Sequence, residues 1–352
     1  MKKYAFEIMA SVFALLLAFL AISGYPNPST KPTSQPTPKA FNLESALNDA
    51  KPNSTVIIPP GTWDIHVGKV SINASNVTVV GAGVIKSTVR FIKQVGATSG
   101  IRVNGNDLDF SNVDFTSDQN PTGKTKIQIT AFTQIGESIN LHDVTYGNID
   151  QLVFFSHTGS GIVREAHNAT STMRSDHYFL DGASNVLIED CSGHGSWNEH
   201  VARVDQNSIQ GINSAKNVIF RNCDFVNDMC GKETIALRTA LQVTVDNCDL
   251  RSWSRVGQVT NPPRPMTVAS ATYTNCRFYD HAWLQIDQGT TNTVLTNNAF
   301  QNYKAYTPIH VNGPGVHLVG TGTKLVDMDP PPVNHDLVMT VNMGPHDVVD
   351  VK

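Results

Sequence analysis

The sequence predicts an all-β fold in which the chain winds as a solenoid of parallel strands. Three observations lead to this prediction. One strand-like phrase is repeated along the chain, and a second, alternating strand stands between its copies. Glycine, asparagine and threonine are also plentiful, whereas long amphipathic helical stretches are scarce. Many short strands joined by turns are the structure that such a sequence favours.

The repeated phrase is a short strand that ends in a polar turn. Its clearest copies are KNVIFRNCDF (216–225), LQVTVDNCDL (241–250), ASATYTNCRF (269–278) and TNTVLTNNAF (291–300), in which Asn298 takes the cysteine position. Weaker copies are NDLDFSNVDF (106–115), ESINLHDVTY (137–146), SNVLIEDCSG (184–193) and PGVHLVGTGT (314–323). Irregular but bounded periods of strands and turns indicate a β-solenoid, because stacked turns bury an apolar face that one turn cannot.

A second strand with its own alternation separates the phrases. We predict it in GIRVNG (100–105), KIQITA (126–131), LVFFSH (152–157), HYFLDG (177–182), VARVDQ (201–206), TIALRT (234–239), VGQVTN (256–261), WLQIDQ (283–288) and PIHVNG (308–313). Each coil then contributes one strand to each of at least two parallel sheets. Alternate side chains point into a continuous core.

The N-terminal segment 1–23 has the pattern of a secretory signal peptide. Lys2 and Lys3 precede an apolar run that ends in small residues. An uncleaved membrane anchor is the alternative, although the run is short for a full span. Residues 24–39 are a Pro/Ser/Thr-rich linker that cannot pack a core. We therefore expect a secreted protein, extracellular or periplasmic, with coils in 40–328 and a C-terminal cap or tail in 329–352.

Composition limits the class of partner. The chain of 352 residues is 40% hydrophobic and carries a net charge of −4. A nucleic-acid binder would need a basic surface. We therefore expect a monomer with a sizeable core, no nucleic-acid partner and no membrane association beyond the signal peptide.

Four of the five cysteines occupy one place in the repeat and should stack in a column. They are Cys191, Cys223, Cys248 and Cys276. We predict that they are small buried side chains filling equivalent positions. Disulfides between adjacent coils are the alternative in an exported protein. Cys230 lies outside the series.

The chain resembles the pectate-lyase-like family of single-stranded right-handed parallel β-helix proteins. The resemblance rests on the opening segment FNLESALNDAKPNSTVIIPPGTWDI (41–65) and on VTVVGAG (77–83), which fits the following turn. It implies a short N-terminal helix that caps the open end, followed by roughly ten coils. The fold hosts lyases, hydrolases, esterases, epimerases and phage spikes, so the resemblance implies the architecture more than the activity.

Stacking the second strands places a mixed set of polar and aromatic side chains on one outer face. Few of them are Lys or Glu, the usual solubilising residues, and they concentrate in the middle coils. Aromatic surface with a few converging polar groups suits sugars. A solvated outer face without function is the alternative. The predicted sugar-binding residues are His177, Trp197, Gln258, Trp283, Gln285 and Asp287.

Two stacked aspartates are the centre of the predicted catalytic site. Asp181 and Asp205 should have carboxylates about 5 Å apart, because neighbouring coils are separated by about 4.8 Å. Like charges at that distance raise one pKa and give an acid beside a base, as in retaining glycosidases. Arg238, next in the column, would hold the lower acid ionised or neutralise it structurally. The loop 190–203 adds the remaining candidates, Glu199, His200 and Arg203.

Polygalacturonases of this fold carry paired acids directly after an N-V-x-I-x-x-C phrase, where this sequence has Asn198 and Glu199. Their Gly-His-Gly stands one coil early here, at 193–195, and their Arg-Ile-Lys has no match. The resemblance therefore implies the location of the site and leaves the hydrolytic mechanism in doubt.

We expect a carbohydrate-active enzyme that acts on a uronate-containing polysaccharide by lyase or glycoside hydrolase chemistry. A lyase needs a base and a positive group on the uronate carboxylate. Arginines and histidines of the face can supply both without metal. Calcium held by Asp181, Asp205 and Glu199 is an alternative, because hard oxygen ligands are present, although no spacing identifies a metal. A non-enzymatic, adhesin-like glycan-binding solenoid is the other function considered.

Overall fold

The computed structural model describes residues 41–352 except for 84–85, 120–127, 157–158, 170–172, 206–214, 229, 258–267, 281, 289, 302–306, 327–336, 342 and 344–346. Residues from Asn42 onward form one compact unit. The predicted signal peptide and linker lie outside the described residues. Within the described part, no helix is long and apolar enough to cross a membrane.

One short helix and a long series of strands make up the described residues. The helix is α1 (Leu43–Asn48). The strands of the first coils are β1 (Thr55–Ile58), β2 (Gly61–His66), β3 (Val70–Ile72), β4 (Val77–Gly81), β5 (Ser87–Ile92), β6 (Ser99–Val103), β7 (Leu108–Ser117), β8 (Thr130–Gln134), β9 (Ser138–Tyr146), β10 (Gln151–Phe155) and β11 (Ser160–Asn168). The middle coils contain β12 (Tyr178–Asp181), β13 (Ser184–Glu189), β14 (Ser192–His194), β15 (Ala202–Asp205), β16 (Lys216–Arg221), β17 (Asp224–Val226), β18 (Ile235–Leu237), β19 (Val243–Asp246), β20 (Asp249–Arg251) and β21 (Ser254–Val256). The last coils contain β22 (Ala271–Thr274), β23 (Arg277–Tyr279), β24 (Leu284–Asp287), β25 (Thr293–Thr296), β26 (Ala299–Gln301), β27 (Ile309–Asn312), β28 (His317–Thr321), β29 (Lys324–Val326), β30 (Val338–Val341) and β31 (Val348–Val351).

The strands pair in parallel and recur in three columns along one axis, which we name faces 1, 2 and 3. Face 1 contains β1, β4, β13, β16, β19, β22, β25, β28 and β31. Face 2 contains β2, β5, β14, β17, β20, β23, β26 and β29, while the long strands β7, β9 and β11 belong to both of these faces. Face 3 is a separate sheet of β3, β6, β8, β10, β12, β15, β18, β21, β24, β27 and β30. This confirms the predicted parallel β-helix, whose crossovers we take as right-handed, the almost invariable sense for parallel strands.

The repeated phrase encodes the corner between faces 1 and 2. The residue before each cysteine position adopts the left-handed backbone conformation, with φ between 50° and 55°, at Asp190, Asn222, Asn247, Asn275 and Asn297. Asparagine and aspartate tolerate this conformation better than other residues with a side chain. The Asn247 amide also donates to Asn222 Oδ1 at 2.9 Å, which links neighbouring turns.

The cysteine position fills the core side of the same corner. Cys191, Cys223, Cys248 and Cys276 are buried with free thiols, in the column that the repeat predicts. Cys276 Sγ donates to the Val245 carbonyl of the preceding coil at 3.4 Å. Asn298 Nδ2 makes the equivalent bond to the Tyr273 carbonyl at 2.9 Å. The position therefore selects a small buried side chain that can donate to a carbonyl one coil away.

Alternation along each strand fills the core. In β19, Val243 and Val245 are buried, whereas Thr244 and Asp246 are half-exposed. Aromatic rings stack on successive coils, for example Phe278 on Phe300 with centroids 4.4 Å apart. Burial of one such side chain stabilises the fold by about 1.5–3 kcal/mol. The core is therefore a continuous apolar column.

Helix α1 packs beside the first coil. Its Leu43 and Leu47 side chains are buried, and Asn42 caps it by accepting from the Ser45 amide at 2.8 Å. Asn48 donates to the Lys69 carbonyl and accepts from the Ser71 amide, which joins the helix to β3.

The structure corrects two predicted strands of face 3. Strand β8 is Thr130–Gln134 rather than 126–131, and β21 is Ser254–Val256 rather than 256–261. A buried serine, Ser254, occupies an inward position of β21 and obscured the hydrophobic alternation. As a consequence Arg255, and not Gln258, pairs with Gln285. Gln258 itself lies outside the described residues.

The segment 329–352, for which a C-terminal cap or tail was predicted, contributes two strands to the sheets. Strands β30 and β31 pair in parallel with β27 and β28. Within the described residues, the coil therefore continues beyond position 328. The repeat could not be recognised in the sequence of this segment, because the segment lacks the asparagine turn of the earlier phrases.

Candidate functional site

The candidate site lies on the outer surface of face 3 and on the corner loops that lead into it from face 2. Strands β12, β15, β18, β21 and β24 form its floor. Asp181 and Asp205 are direct partners in the register, which confirms their predicted stacking. Another outward column is formed by Phe179, Arg203, Ala236, Arg255, Gln285 and His310.

A buried column of one histidine between two acids stands at the start of these strands. His200 Nδ1 lies 2.8 Å from Asp176 Oδ1, and its Nε2 lies 3.0 Å from Glu233 Oε2. The three side chains come from three successive coils, and all are buried. Each ring nitrogen thus faces a carboxylate, an arrangement that suits the doubly protonated imidazolium.

The two acids determine the charge of His200. Burial opposes its protonation, but the hydrogen bonds with Asp176 and Glu233 outweigh burial and raise the pKa of His200 above its ordinary value. Burial likewise opposes ionisation of Glu233, yet the bond to His200 and the charge of Arg255 lower its pKa to about 2. The two carboxylate contacts therefore favour the charged form of His200, which is unsuited to act as a general base.

Asp205 is held between two arginines. Its Oδ2 accepts from Arg203 Nε at 3.0 Å and Nη2 at 2.6 Å, and it lies 3.7 Å from Arg238 Nη1. Arg203 also lies over the Phe179 ring at 4.7 Å and 3.9 Å from Asp176. Buried Asp205 thus orients two guanidinium groups, which fits the structural alternative for the Asp181–Asp205–Arg238 column.

Arg238 has the least favourable surroundings for a positive charge. Its Nη2 lies 3.2 Å from His200 Nε2, which already donates to Glu233, so two donors face each other. Its buried Nε has no hydrogen-bond partner. Burial and the charge of Arg203 lower the pKa of Arg238, although Asp205 opposes this. The pKa of Arg238 is therefore shifted in the direction opposite to that of Arg203.

Arg255 connects the buried acid Glu233 to the buried acid Asp287. Its Nη1 lies 2.9 Å from Glu233 Oε1, and its Nε lies 3.4 Å from Asp287 Oδ2. Gln285 donates to the other oxygen of Asp287 at 2.8 Å. Buried Asp287 is therefore an anchor for Arg255 and Gln285, rather than an open ligand for sugar.

One arginine stands on each of four successive coils, and we name this set the arginine row. Its members are Arg174, Arg203, Arg238 and Arg255. Each lies within 4.0 Å of a buried carboxylate and keeps between 12% and 20% of its side chain exposed. Buried acids thus hold each guanidinium group, and a small part of each side chain stays exposed.

A polar pocket of about 170 Å³ adjoins the start of this row. It is lined by Gln128, Asp150, Arg174, Ser175, Asn198 and Glu199. Burial raises the pKa of Asp150, although the Ile129 amide and Arg174 oppose this. The Glu199 side chain is 37% exposed, and its Oε2 lies 3.5 Å from His200 Nδ1. Exposed Trp197 precedes Asn198 in the same loop.

His177 and Trp283, two of the predicted sugar-binding residues, have little ring surface available for stacking on a sugar. His177 is fully buried: its Nε2 faces the Gly195 carbonyl, its Nδ1 faces the Tyr146 hydroxyl, and burial lowers its pKa to about 4. His177 does not reach the outer surface of face 3, which corrects the prediction. Trp283 lies between Trp253 and His310, with centroids at 5.3 and 6.2 Å, so only part of each ring face is open.

The Gly-His-Gly motif belongs to another face. His194 is on β14 of face 2, where it pairs with Asp224 at 3.5 Å. Asp224 has a lowered pKa because of His194, with burial opposing. Gly193 is required for packing, since a Cβ there would meet Val201 Cγ1 at 2.5 Å. The motif has a structural explanation at this position.

The donor sets do not fit a resident cation. Asp176, Glu199 and His200 bring three ligand atoms within 4.8 Å of one another. A protonated His200 is a donor and cannot ligate a metal. For the predicted calcium ligands, Arg203 already occupies Asp205 Oδ2, with Arg238 close by. Two guanidinium groups therefore neutralise Asp205.

Sequence reasoning missed the acids that organise the site. Asp176 and Glu233 each stand one residue before a predicted strand, in the position that His200 occupies one coil away. Extending the stacked alignment by one residue would have revealed this column. Arg174 and Asp150 stand still further from the strands and gave no such signal.

The fold and the site define a parallel β-helix protein with a preorganised, charged outer wall. No family model and no curated protein matches the sequence. Among solved structures, the chain is similar to the A-module of a mannuronan C-5 epimerase of Azotobacter vinelandii, with 12% identity over 88% of this chain and 94% of that chain, at a TM-score of 0.43. At this level of similarity the fold assignment rests on the strand pairing, and function has to be argued from the site.

Proposed function

We propose that the protein is a carbohydrate-active enzyme that cleaves a uronate-containing polysaccharide along face 3 by lyase chemistry. The arginine row carries this proposal. A polysaccharide substrate also fits the secreted location that the N-terminal segment predicts.

The arginine row suits an extended polyanion. Its members stand on successive coils. Arg203 and Arg255 lie in one column of the register two coils apart, Arg238 lies in the adjacent column, and Arg174 lies before the start of β12. Guanidinium groups recognise carboxylates by paired, charge-assisted hydrogen bonds. Because buried acids hold Arg203 and Arg255 in place, little conformational freedom is lost when a uronate binds. Such a wall can both orient a uronate and stabilise negative charge that develops on it.

Arg238 and Arg203 have different roles in the proposed elimination. Arg238, which shares Asp205 with Arg203 and has a buried Nε without a hydrogen-bond partner, is the base that removes the proton next to the uronate carboxylate. Arg203 has a raised pKa, because nearby acids outweigh burial, and so it stays charged and stabilises the carboxylate. The bond from C4 to the glycosidic oxygen then breaks, a C4–C5 double bond forms, and the leaving oxygen takes a proton from water.

Hydrolysis is the second candidate, because two carboxyl groups line the pocket at the start of the row. Burial keeps Asp150 protonated to a higher pH than an ordinary aspartate, as a general acid requires. Glu199 is exposed enough to activate water or to attack the sugar. Trp197 can support a sugar ring beside them.

A screen against plant and algal uronans tests the proposal. Elimination produces an unsaturated product with new absorbance near the ultraviolet edge, while hydrolysis produces reducing ends without this absorbance. We expect absorbance that Arg238→Gln lowers at least about 100-fold. The matched control is Arg277→Gln, an exposed arginine of face 2 that pairs with Asp249. Reducing ends alone, lost in Glu199→Gln, would favour hydrolysis, and binding without any product would favour the adhesin.

A further inference from the structure

We propose that a second pocket, at the corner between faces 2 and 3, binds a neutral, hydroxyl-rich sugar unit of the substrate. The inference rests on the proposed function for the identity of the polymer, but the pocket can be tested without it. The substrate class that follows is a mixed polysaccharide in which neutral sugars accompany uronates.

The second pocket continues the line of the first along the axis. It has a volume of about 330 Å³, within the range of small-molecule sites. The first pocket ends at the coil of β15, and the second begins at the following coil. It is lined by Val226, Asp228, Gly231, Arg251, Ser252, Trp253, Asp280 and Trp283.

Two indole rings form its apolar wall. Trp253 and Trp283 are nearly parallel, at 11°, with centroids 5.3 Å apart. Since stacked carbon planes touch at about 3.5–4 Å, the rings must be displaced sideways, which leaves part of each face open. Trp253 Nε1 donates to the Gly231 carbonyl at 3.0 Å and so fixes its ring. Arg255 Cζ lies 4.6 Å from the centroid of the Trp253 ring, and the His310 ring lies 6.2 Å from that of Trp283. The fixed indole surface that these side chains leave open suits the apolar face of a pyranose.

The charges of this pocket differ from those of the arginine row. Asp228 and Asp280 are exposed carboxylates that accept hydrogen bonds from hydroxyl groups. Arg251, the arginine among the lining residues, is already engaged, with its guanidinium 4.4 Å above the Tyr279 ring and 3.7 Å from Asp280. Arg255, which lies over the Trp253 ring, is likewise paired with Glu233 and Asp287. A uronate would meet two like charges here, whereas a neutral sugar would meet acceptors and aromatic surface.

The backbone of the pocket contains residues in the left-handed conformation. Ser252 has a φ of 76°, and Gly195 and Asp280 adopt the same conformation at the equivalent corner position of other coils. Gly231 has a φ of 68°, and nothing would lie within 4 Å of a Cβ at this position. The Gly231 position, next to the Trp253 indole, therefore leaves room for a ligand.

Tryptophan fluorescence tests the pocket directly. Trp197→Phe serves as the background, because it removes the other tryptophan of the proposed groove. Cellohexaose, mannohexaose and a galacto-oligosaccharide are the neutral probes, and a hexauronate is the charged one. We expect saturable quenching by at least one neutral probe, with affinity at least about tenfold lower in Trp283→Ala. Asp228→Asn combined with Asp280→Asn should weaken the same probe about fivefold, while the distant control Asp107→Asn should not change it.

The outcomes separate the two proposals. If no neutral probe binds, or if folded Trp283→Ala and the double aspartate variant bind as the background does, the pocket is not a neutral-sugar site. If neutral probes bind but no uronan is cleaved or bound, the pocket stands and the proposed function fails. If Trp283→Ala does not fold by circular dichroism, the double aspartate variant alone decides.

Discussion

Gly193 is a single residue on which the packing of the corner depends. A side chain at this position would meet Val201 at 2.5 Å and His177 at 3.1 Å, and both neighbours are buried. Neither can move outward without opening the core.

Gly193→Ala should therefore lower the free energy of unfolding by about 1–3 kcal/mol, the usual cost of overpacking. Chemical denaturation measures the change, and Ser192→Ala, at the half-exposed neighbouring position, is the control. Equal stability of both variants would show that the corner is more open than the structure indicates.

Asn227 is a second single residue with a structural role. It is a clamp that holds the loop carrying Glu199 and His200. Its buried amide donates to the carbonyls of Glu199 and Glu233, at 2.9 and 3.1 Å, and its oxygen accepts from the Ser196 amide. The side chain thus satisfies polar backbone groups that would otherwise be buried without partners.

Asn227→Ala should reduce the unfolding free energy by about 1–3 kcal/mol, because it leaves buried groups unsatisfied. It should also lower activity, since the Glu199 loop loses its support. Asn73→Ala, at an exposed amide, should change neither. Thermal denaturation and the uronan assay together check this, and an unchanged melting temperature would contradict the clamp.

The column of Asp176, His200 and Glu233 lies where the strands of face 3 begin. It makes the stability of the fold depend on pH. His200 has a folded pKa above its unfolded value of about 6.5. Its contribution to stability is therefore fully present below pH 6.5 and is lost as the pH rises through the folded pKa. His177 acts in the opposite direction: its pKa of about 4 means that stability falls as the pH drops from about 6.5 towards 4.

We expect His200→Gln to be less stable than the wild type at pH 6 and to lose no further stability as the pH rises above 6.5. The wild type should lose stability over that interval. Denaturant midpoints from pH 5 to 9 measure this, with His142→Gln, a half-exposed histidine, as control. Parallel profiles of wild type and His200→Gln would contradict a charged His200.

Local patterns predicted the elements better than the site. The Asn-Cys turn fixes one corner of each coil, so the repeat, the cysteine column and the Asp181–Asp205 pairing could be read directly. The position of β21 could not be predicted, because buried Ser254 breaks the apolar alternation. The predicted alignment therefore put Gln258 at the position that Arg255 occupies in the structure. Side-chain direction was also beyond sequence patterns: His177 precedes a strand just as exposed residues do, yet it enters the core.

At the scale of the whole molecule, the coil repeat brings arginines that are distant in the sequence together in the arginine row. A polyanion bound along this row should be sensitive to ionic strength, because charges that remain partly exposed are screened by salt. The buried acids behind the row are less affected. Uronan binding should therefore weaken with salt while the fold stays intact.

Arg255→Gln should lower the affinity for an oligouronate about tenfold at low salt, a loss of about 1.4 kcal/mol, and should reduce the dependence on salt. Arg255→Lys, which keeps the charge but not the paired geometry, should recover only part of the loss. Titration calorimetry at two salt concentrations measures this, with Arg277→Gln as the control on face 2. Unchanged affinity in Arg255→Gln would remove Arg255 from the binding surface.

The most direct measurement is an experimental structure of the Arg238→Gln variant with an oligouronate bound. The predicted result is a saccharide lying along face 3, with sugar carboxylates within hydrogen-bonding distance of Arg203 and Arg255. A ligand on face 1 or face 2, or one whose carboxylates point away from the arginine row, would contradict the assignment of this wall as the place where the polymer is bound and cleaved.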